Sequence, residues 1–281
     1  MSDVFRLASI NVNGVRAAYR KGMGAWLDSC DAHVVALQEV RAETSQLAEL
    51  IGEGWHIEHD PALAKGRAGV ALLSRTAPLE VRRGLSQEAA ASDGRWIEAD
   101  YKIGSKTVTV VSVYMHSGEV GTARQEQKWA MLEAMTERLV ELRESRELVA
   151  VVGDLNVGHR ELDIKNWRGN RKKSGFLVEE RSYFDAFFGA AGAEIEAVDG
   201  KKRTGLGYID VGRTFAGEVE GPYTWWSNRG QAFDNDTGWR IDYHAVTPAL
   251  AAAVQNYRVD RYPSYAERWS DHAPVVADYL L

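Results

Sequence analysis

The chain alternates short apolar runs with polar turns, and several of the apolar runs end in acidic or amide side chains. Residues 148–152 form one such run, which breaks at Gly153 and is followed by Asp154 and Asn156. Because side chains alternate along an extended segment, these two polar side chains point to the same side of the predicted strand. The same residue types also favour turns, so this segment alone leaves an ordinary strand-to-turn cap open.

Other strand-like segments have the same construction. Their polar ends contribute Asn11 and Asn13, Glu39, Asp242, and the adjacent pair Asp271 and His272. We therefore predict that these polar side chains, although spread along the chain, converge at one edge of a sheet. Burying a carboxylate is costly unless water, a metal or a substrate lies beside it. The chemistry that needs such a set is metal-assisted attack on a phosphate ester.

The remaining pattern mixes strands with helices. Trp96–Ile103 and residues 107–114 read as strands joined through Gly104 and Ser105, which predicts a hairpin. Residues 122–147 carry apolar side chains close to helical spacing, and we expect the charged residues between them to face solvent. Strands that outnumber helices in a mixed order predict packed sheets covered by helices.

Composition favours one intracellular domain. The 281 residues contain no linker, repeat or low-complexity run, and 45% of them are hydrophobic, so we expect a single domain over residues 1–281. The single cysteine, Cys30, excludes an intramolecular disulfide and fits a reducing compartment. The start lacks a signal-peptide core and no apolar run has transmembrane length, so we expect the protein in the cytoplasm, nucleoid-associated in a bacterial cell, with no membrane partner. We also expect it to be a monomer.

The net charge of −6 argues against a nucleic-acid partner, because such proteins usually present a basic surface. The positive charge is nonetheless clustered between residues 165 and 173, where Trp167 and Gly169 interrupt the basic residues as a phosphate-tracking loop would require. A second cluster, with Arg16 and Lys21, follows the first asparagine motif. Such runs are about as often solvated surface, which is our interpretation of residues 201–203.

In their order along the chain, the motifs resemble those of the exonuclease III / AP endonuclease family of DNA-repair nucleases. They are Asn11-Val12-Asn13-Gly14, Leu37-Gln38-Glu39, Gly153-Asp154-Leu155-Asn156, Arg240-Ile241-Asp242 and Ser270-Asp271-His272-Ala273-Pro274. The resemblance extends from about Phe5 to Tyr279 and includes residues 69–75 and 170–176. It implies a DNase I-like α/β fold, a four-layered α/β sandwich in which two packed mixed β-sheets are flanked by helices.

The resemblance implies a site for Mg²⁺ or Mn²⁺. Glu39 would be the main ligand, as an anionic oxygen donor suited to either ion. The other residues of the metal site would be Asn13, Asp271, Asp154 and Asn156. Some family members carry aspartate where this chain has Asn13, which leaves a second metal position open.

The catalytic residues that the resemblance implies are Asp154, Asn156, Asn11, His272, Asp242 and Tyr114. Asp154 would deprotonate the attacking water, with the two asparagines fixing its geometry. His272 would contact a phosphate oxygen while Asp242 orients its imidazole. Tyr114 would contact the phosphate or assist the leaving oxygen, although its position at a strand end is also typical of a core tyrosine.

The DNA-contacting residues that the resemblance implies are Arg16, Lys21, Arg168, Asn170, Lys172, Trp225, Trp226 and Trp239. Trp225 and Trp239 would line a pocket for a flipped-out abasic deoxyribose. A tight apolar wall selects such a sugar because a whole nucleotide will not fit. Packing in the core is the alternative interpretation for each tryptophan.

The implied activity is that of a metal-dependent class II AP endonuclease of base excision repair. It would hydrolyse the phosphodiester 5′ to an abasic site in duplex DNA, leaving a 3′-hydroxyl and a 5′-deoxyribose phosphate. Trimming of blocked 3′ ends (3′-phosphodiesterase) and 3′→5′ exonuclease activity would be secondary.

Two alternatives come from other functional classes. A phosphatase of small soluble or lipid phosphates uses the same kind of fold, but the tryptophan pair and the basic loop disfavour it. A catalytically silent binding protein is disfavoured because every expected polar position is filled. We expect the remaining singled-out histidines to be structural or exposed, namely His56, His59, His116, His159 and His244.

Overall fold

The computed structural model of the chain describes residues 4–85 and 93–281, and most of its strands belong to two mixed sheets. The first sheet has the spatial order β13 (Val254–Val259), β14 (Val275–Leu280), β1 (Val4–Asn11), β2 (Val34–Gln38), β4 (Val70–Ser74) and β3 (His56–Asp60). The second has the order β11 (Ile209–Asp210), β12 (Asp242–Val246), β8 (Val149–Asp154), β7 (Lys106–Tyr114), β6 (Trp96–Ile103) and β5 (Glu80–Arg83). A separate ribbon pairs β9 (Glu194–Glu196) with β10 (Lys202–Thr204).

Helices connect these strands. The α-helices of the described residues are α1 (Val15–Ala18), α2 (Gly24–Ser29), α3 (Thr44–Ile51), α4 (Ala123–Ser145), α5 (Trp167–Asn170), α6 (Val178–Phe188), α7 (Val211–Ala216) and α8 (Pro248–Ala251). A π-helical turn, Tyr19–Met23, lies between α1 and α2, and a 3₁₀ turn, Glu161–Asp163, precedes α5.

Three apolar cores separate four layers. The central core lies between the sheets, where Leu7 and Leu72 of the first sheet cluster with Val110 and Val152 of the second. A second core packs α1, α2 and α3 on the outer face of the first sheet, and a third packs α4 and α6 on the outer face of the second. This confirms the predicted sandwich of two mixed sheets flanked by helices. The extent of a single domain over residues 1–281 stays a prediction, since residues 1–3 and 86–92 lie outside the described part.

Strand direction brings the polar strand ends to one edge. β1 runs parallel to β2 and β7 runs parallel to β8, so each pair ends at the same side of its sheet. In the second sheet Asp154 pairs across the strands with Tyr114 on one side and with Asp242, at the start of the antiparallel β12, on the other. β14 is antiparallel to β1, which returns His272, just before β14, to the end of β1.

Gly153 shows how closely the strands approach at this edge. Its φ of 138° lies in a region that favours glycine, and a Cβ atom there would meet the carbonyl oxygen of Val113 at 2.1 Å. A side chain at this position would push β8 away from β7. The glycine therefore keeps Asp154 aligned with Tyr114.

The predicted elements are confirmed where they fall on described residues, with one correction. The hairpin spans Trp96–Ile103 and Lys106–Tyr114, and α4 begins after Thr122, whose hydroxyl accepts the N–H of Arg124. The expectation that the charges of this helix face solvent is wrong for Lys128, which is 0% exposed. Among the described residues no helix combines the length and the apolar character needed to cross a membrane.

Candidate active site

Asn11, the last residue of β1, joins the two sheets at the polar edge. Its amide nitrogen lies 2.9 Å from Oδ2 of Asp154 in the second sheet and 3.1 Å from Oε1 of Glu39, which follows β2. The side-chain oxygen of Asn11 accepts the backbone N–H of Asn13 at 2.9 Å. The predicted residues of the first and second sheets are therefore brought together, although they are far apart in sequence.

Asp154 is a deeply buried acid of this group, at 1% exposure. Oδ1 accepts the backbone N–H of Asn156, and Oδ2 accepts its amide at 3.1 Å. Burial raises the pKa of Asp154 to about 7, assisted by the charges of Asp242 and Glu39 and opposed by His272 and the Asn11 hydrogen bond. A carboxylate with such a pKa accepts a proton readily near neutrality.

His272 faces Asp154 from the first sheet. Its Nδ1 lies 2.8 Å from Oδ2 of Asp242, and its Nε2 lies 3.7 Å from Oδ2 of Asp154. Burial lowers the pKa of His272, but the carboxylates of Asp242 and Asp154 outweigh it and raise the pKa to about 10. The imidazole is consequently protonated at neutral pH, with Nδ1–H donating to Asp242 and Nε2–H pointing into the site.

Glu39 lies at the rim of the site and is balanced by several donors. Oε1 accepts the Tyr114 hydroxyl at 2.5 Å as well as the Asn11 amide, and Oε2 forms an ion pair with Arg41. Burial, together with the charges of Glu39 and Asp154, raises the pKa of Tyr114 well above its usual value, so its hydroxyl stays a donor. The φ of Glu39 is 51°, an unusual left-handed backbone for a residue other than glycine, and such conformations concentrate at functional sites.

Asp271 extends the acidic group on the far side of Asn13. Its Oδ1 accepts the Asn13 amide at 2.9 Å, and its Oδ2 accepts the indole N–H of Trp225 at 3.1 Å. Two asparagines therefore link the three carboxylates of Glu39, Asp154 and Asp271 in one hydrogen-bonded chain.

Asp154, Asp242 and His272 place one ligand atom each within 4.8 Å of the others, a spacing that would hold a metal ion. A metal-binding histidine must be neutral, whereas His272 is held in its protonated form by the two carboxylates. The donor chemistry therefore favours proton transfer at these three residues, and the expectation that Glu39 is the main metal ligand stays a prediction. The roles of Asp154 and Asn156 as metal ligands stay predictions.

Trp225 and Trp239 are partly exposed, and Trp225 lies beside the imidazole. Their rings meet edge to face, with centroids 5.9 Å apart and planes at 85°, and Trp225 lies 6.5 Å from His272 between ring centroids. A Cβ at Gly175, whose φ is +94°, would meet the Trp239 ring at 2.8 Å, so a residue that follows the basic loop (residues 165–173) supports this wall. Both tryptophans thus form an aromatic wall next to the polar groups.

Trp226 is a correction to the predicted DNA-contacting set. It is 1% exposed, packs on Phe233 in the core outside the first sheet, and donates its indole N–H to Asp236. Consecutive residues of an extended segment point to opposite sides, so Trp225 and Trp226 cannot both face the site. Trp226 is therefore a core residue.

The polar residues predicted to contact DNA lie on two surfaces beside the site. Arg168 and Lys172 are exposed, and the guanidinium of Arg168 lies 4.4 Å from the Trp167 ring centroid. Asn170 is half-buried and donates to the backbone of the same loop. Exposed Arg16 and Lys21 line hollows at the opposite side, the second of which also borders Asn13 and Asp271.

A groove of about 410 Å³ beside Tyr114 contains four arginines that the sequence analysis missed. Its lining includes Arg41, Arg67, Arg95, His116 and Arg124. Each comes from a different stretch of chain, so no run of charge marked them in the sequence. The guanidinium of Arg95 lies 4.6 Å from the Tyr114 ring centroid and donates to its carbonyl, which fixes the tyrosine at the end of the groove.

The other singled-out histidines lie apart from the imidazole of His272. His59 and His244 are buried, and burial lowers the pKa of each to about 4, so both are neutral structural groups. His159 pairs with Asp185 at 2.7 Å, and His56 is exposed on β3. His116, unlike these four histidines, lines the basic groove beside Tyr114.

Comparisons with known proteins agree with this geometry. Residues 8–272 match the Endonuclease/Exonuclease/phosphatase family. The chain is 33% identical over 271 residues to the exodeoxyribonuclease of Bacillus subtilis, covering 96% of this chain and 97% of that protein.

Solved structures match with similar completeness. The 3′ phosphatase NExo of Neisseria, bound to a product DNA hairpin, superposes with a TM-score of 0.82 at 26% identity, covering 99% of this chain and 100% of that one. An AP endonuclease of Archaeoglobus fulgidus superposes with a TM-score of 0.80 at 25% identity, covering 98% and 99%. The chain therefore belongs to the endonuclease/exonuclease/phosphatase family, among its exodeoxyribonuclease and AP endonuclease nucleases.

Proposed function

We propose that this protein is a metal-dependent AP endonuclease of base excision repair. It hydrolyses the phosphodiester 5′ to an abasic site in duplex DNA and leaves a 3′-hydroxyl and a 5′-deoxyribose phosphate. Removal of blocking groups from 3′ ends and 3′→5′ exonuclease activity are secondary. The observation that carries this proposal is the opposition of Asp154 and His272, a buried base and a buried acid 3.7 Å apart.

The protein's own side chains supply the proton chemistry. Asp154 takes a proton from the attacking water, while the amides of Asn11 and Asn156 hold the carboxylate in place. Protonated His272 donates from Nε2 to a non-bridging phosphate oxygen, where negative charge develops, and Asp242 keeps the imidazole charged and oriented. The Tyr114 hydroxyl is a further donor toward the phosphate or the leaving oxygen.

The residues around Glu39 fit Mg²⁺ or Mn²⁺. Glu39 pairs through Oε2 with the guanidinium of Arg41, which a bound ion would displace or share. Oxygen atoms of Glu39, Asn13 and Asp271 are the hard donors that these ions prefer, and these residues would hold the ion. When bound, the cation would polarise a phosphate oxygen and offset developing charge.

DNA fits the surfaces that flank the site. The basic groove lies on the Tyr114 side, and the loop with Arg168 and Lys172 lies on the side of the tryptophan wall. These local positive surfaces can attract DNA despite the negative net charge of the chain. Salt screens the distant charges, so a polyanion interacts mainly with the nearest ones. An open groove of this kind also suits an extended strand better than a small phosphate.

The aromatic wall favours an abasic lesion. Trp225 and Trp239 present apolar surface beside His272, as a sugar without a base would require. A lesion without base pairing also costs least to extrude from the duplex. The 3′ phosphatase among the structural neighbours supports the secondary activity on blocked 3′ ends.

A gel assay tests the proposal. The protein is incubated with a labelled duplex carrying one abasic site, with Mg²⁺ or with a chelator, beside an intact duplex and a duplex with a 3′-phosphate. We expect metal-dependent incision 5′ of the lesion, faster than attack on the other two substrates and lost in Asp154→Asn. Incision that persists in chelator, or preference for the intact duplex, contradicts the proposal. Turnover of p-nitrophenyl phosphate without DNA cleavage supports the small-phosphate alternative.

A further inference from the structure

Lys128 is a fully buried cation on the inner face of α4, close to the proposed site but not part of it. Its Nζ lies 2.8 Å from Oε1 of Glu180 at the start of α6, and both side chains are 0% exposed. The same ammonium donates to the carbonyl of Asn156 at 2.9 Å and to the carbonyl of Ser117 at 3.3 Å. A buried lysine is costly unless its protons are all used, and here four acceptors surround it, the fourth being the Ser174 hydroxyl at 3.5 Å.

Glu180 binds the end of the basic loop. Its Oε2 accepts the backbone N–H groups of Gly175 at 2.7 Å and Leu177 at 3.0 Å, and its Oε1 accepts the amide of Gln125 at 3.1 Å. Gly175 in turn receives the N–H of Gly158 on its carbonyl and packs under Trp239. The carboxylate of Glu180 therefore fixes the segment that joins the basic loop to the aromatic wall.

Three chain segments meet at this ion pair: residues 115–118 after β7, residues 155–158 after β8, and residues 174–177 after the basic loop. Ser174 donates its hydroxyl to the Ser117 carbonyl at 2.7 Å, which ties the first segment to the third. Asn156 stands at the centre, because Lys128 holds its carbonyl while its side chain reaches Asp154 and the Met115 carbonyl. Nothing in the pattern of the helix marks Lys128 as different from its solvated neighbours.

We propose that Lys128 and Glu180 are positioning residues. They hold Asn156, and through its side chain Asp154, at a fixed position relative to the basic loop and the aromatic wall. The expected effect on the rate rests on the proposed function, whereas the expected effect on the position of Asn156 does not. The ion pair contacts Asn156 only at its backbone carbonyl and both side chains are 0% exposed, so it meets neither the phosphate nor DNA directly. Its loss therefore changes the rate of the chemical step while leaving substrate affinity nearly intact.

The test compares Lys128→Met with Arg138→Met. Arg138 lies on the same helix, roughly 15 Å further along by helical rise, and pairs through two hydrogen bonds with buried Glu98. Both variants remove a cation from a pair with a buried acid, although Arg138 is 24% exposed and Glu98 keeps Arg82 as a partner. Thermal melting confirms that each variant is folded before kinetics are measured on the abasic duplex.

Lys128→Met should lower kcat by about 10²-fold with KM little changed, as a misplaced catalytic group does, and Arg138→Met should leave kcat near the wild-type value. Lys128→Arg, which keeps the charge, should recover most of the rate. Equal loss of kcat in the two methionine variants, or none in Lys128→Met, overturns the proposal. If Lys128→Met does not fold, Glu180→Gln carries the same comparison, since it removes the charge and retains the shape.

Hydrogen exchange separates failure of this proposal from failure of the proposed function. In Lys128→Met, amides of residues 155–158 and 174–177 should exchange faster than in the wild type, while Arg138→Met leaves these segments unchanged. This result is independent of substrate. A wild-type protein inactive on abasic DNA refutes the proposed function alone, whereas unchanged exchange in Lys128→Met refutes the positioning role.

Discussion

Nε2 of His272 lies 3.7 Å from Oδ2 of Asp154, although Asp154 ends a strand of the second sheet and His272 precedes a strand of the first. Burial raises the pKa of Asp154 to about 7, whereas neighbouring carboxylates overcome burial and raise the pKa of His272 to about 10. Near neutral to mildly alkaline pH, the pair therefore holds an ionised base beside a charged acid. This is the combination that hydrolysis of a phosphodiester requires.

The pair predicts the pH dependence of kcat/KM on abasic DNA. The rate should rise as pH increases through about 7, because Asp154 must lose its proton, and fall toward about 10, because His272 must keep its own. Asp242→Asn removes a negative charge that stabilises the imidazolium, so the alkaline limb should move to lower pH. Rate measurements in buffers of constant ionic strength check this. An alkaline limb that stays in place would show that another group controls it.

Glu39→Gln and Asp154→Asn test the division of roles between metal binding and water activation. Each should reduce turnover strongly in a folded protein, with loss of the general base alone accounting for about 10²–10⁴-fold. Raised Mg²⁺ should partly rescue Glu39→Gln, because a weakened site fills at higher concentration, and should not rescue Asp154→Asn. Titration of Mg²⁺ at saturating DNA measures the difference, and equal rescue of both variants contradicts the assignment.

Arg168→Ala combined with Lys172→Ala tests the basic loop. Binding to abasic and intact duplexes should weaken alike and the salt dependence should flatten, because phosphate contacts carry no information about the lesion. The matched control is Lys201→Ala with Lys202→Ala, which removes the same charge from the exposed ribbon at residues 201–203. Fluorescence anisotropy at several salt concentrations gives both slopes. If the two double variants behave alike, the loop is ordinary solvated surface.

Trp225→Ala and Trp239→Ala test lesion choice. Each should lower the rate on abasic DNA and raise the relative rate on normal 3′ ends, because a wider pocket excludes a whole nucleotide less well. Trp226→Ala is the control: as a core residue it should cost about 3–5 kcal/mol of stability and leave the substrate ratio unchanged. Melting curves beside the ratio assay distinguish the cases. A large loss of stability with an unchanged ratio in the first two variants would place them in the core as well.

Most of the fold followed from the sequence because strands buried on both faces are continuous apolar runs. Residues 148–152 and the segment ending at Glu39 have this form, and their polar ends marked the edge where the site lies. The pairing of Asp154 with both Tyr114 and Asp242 did not follow, since strand order depends on long-range packing that periodicity does not record. The motif resemblance supplied the architecture.

Individual side chains were harder to predict than strands. Alternation in an extended segment could have excluded Trp226 once Trp225 was placed at the site. Lys128 gave no comparable signal, because the buried partner Glu180 comes from another helix and charges on an amphipathic helix are usually solvated. The groove arginines escaped notice for a related reason: Arg67, Arg95 and Arg124 are single charges that only the tertiary fold assembles.

The hydrogen bond from Asn11 to Asp154 crosses between the sheets and spans 143 positions of the chain. Neither sheet alone contains the base together with the residues that hold it and the imidazole that opposes it. A newly synthesised or heat-damaged chain that has formed one sheet has Asp154 without Asn11, or the reverse. Recovery of cleavage during refolding should therefore report docking of the two sheets. A chain in which only one sheet has formed should not cleave DNA.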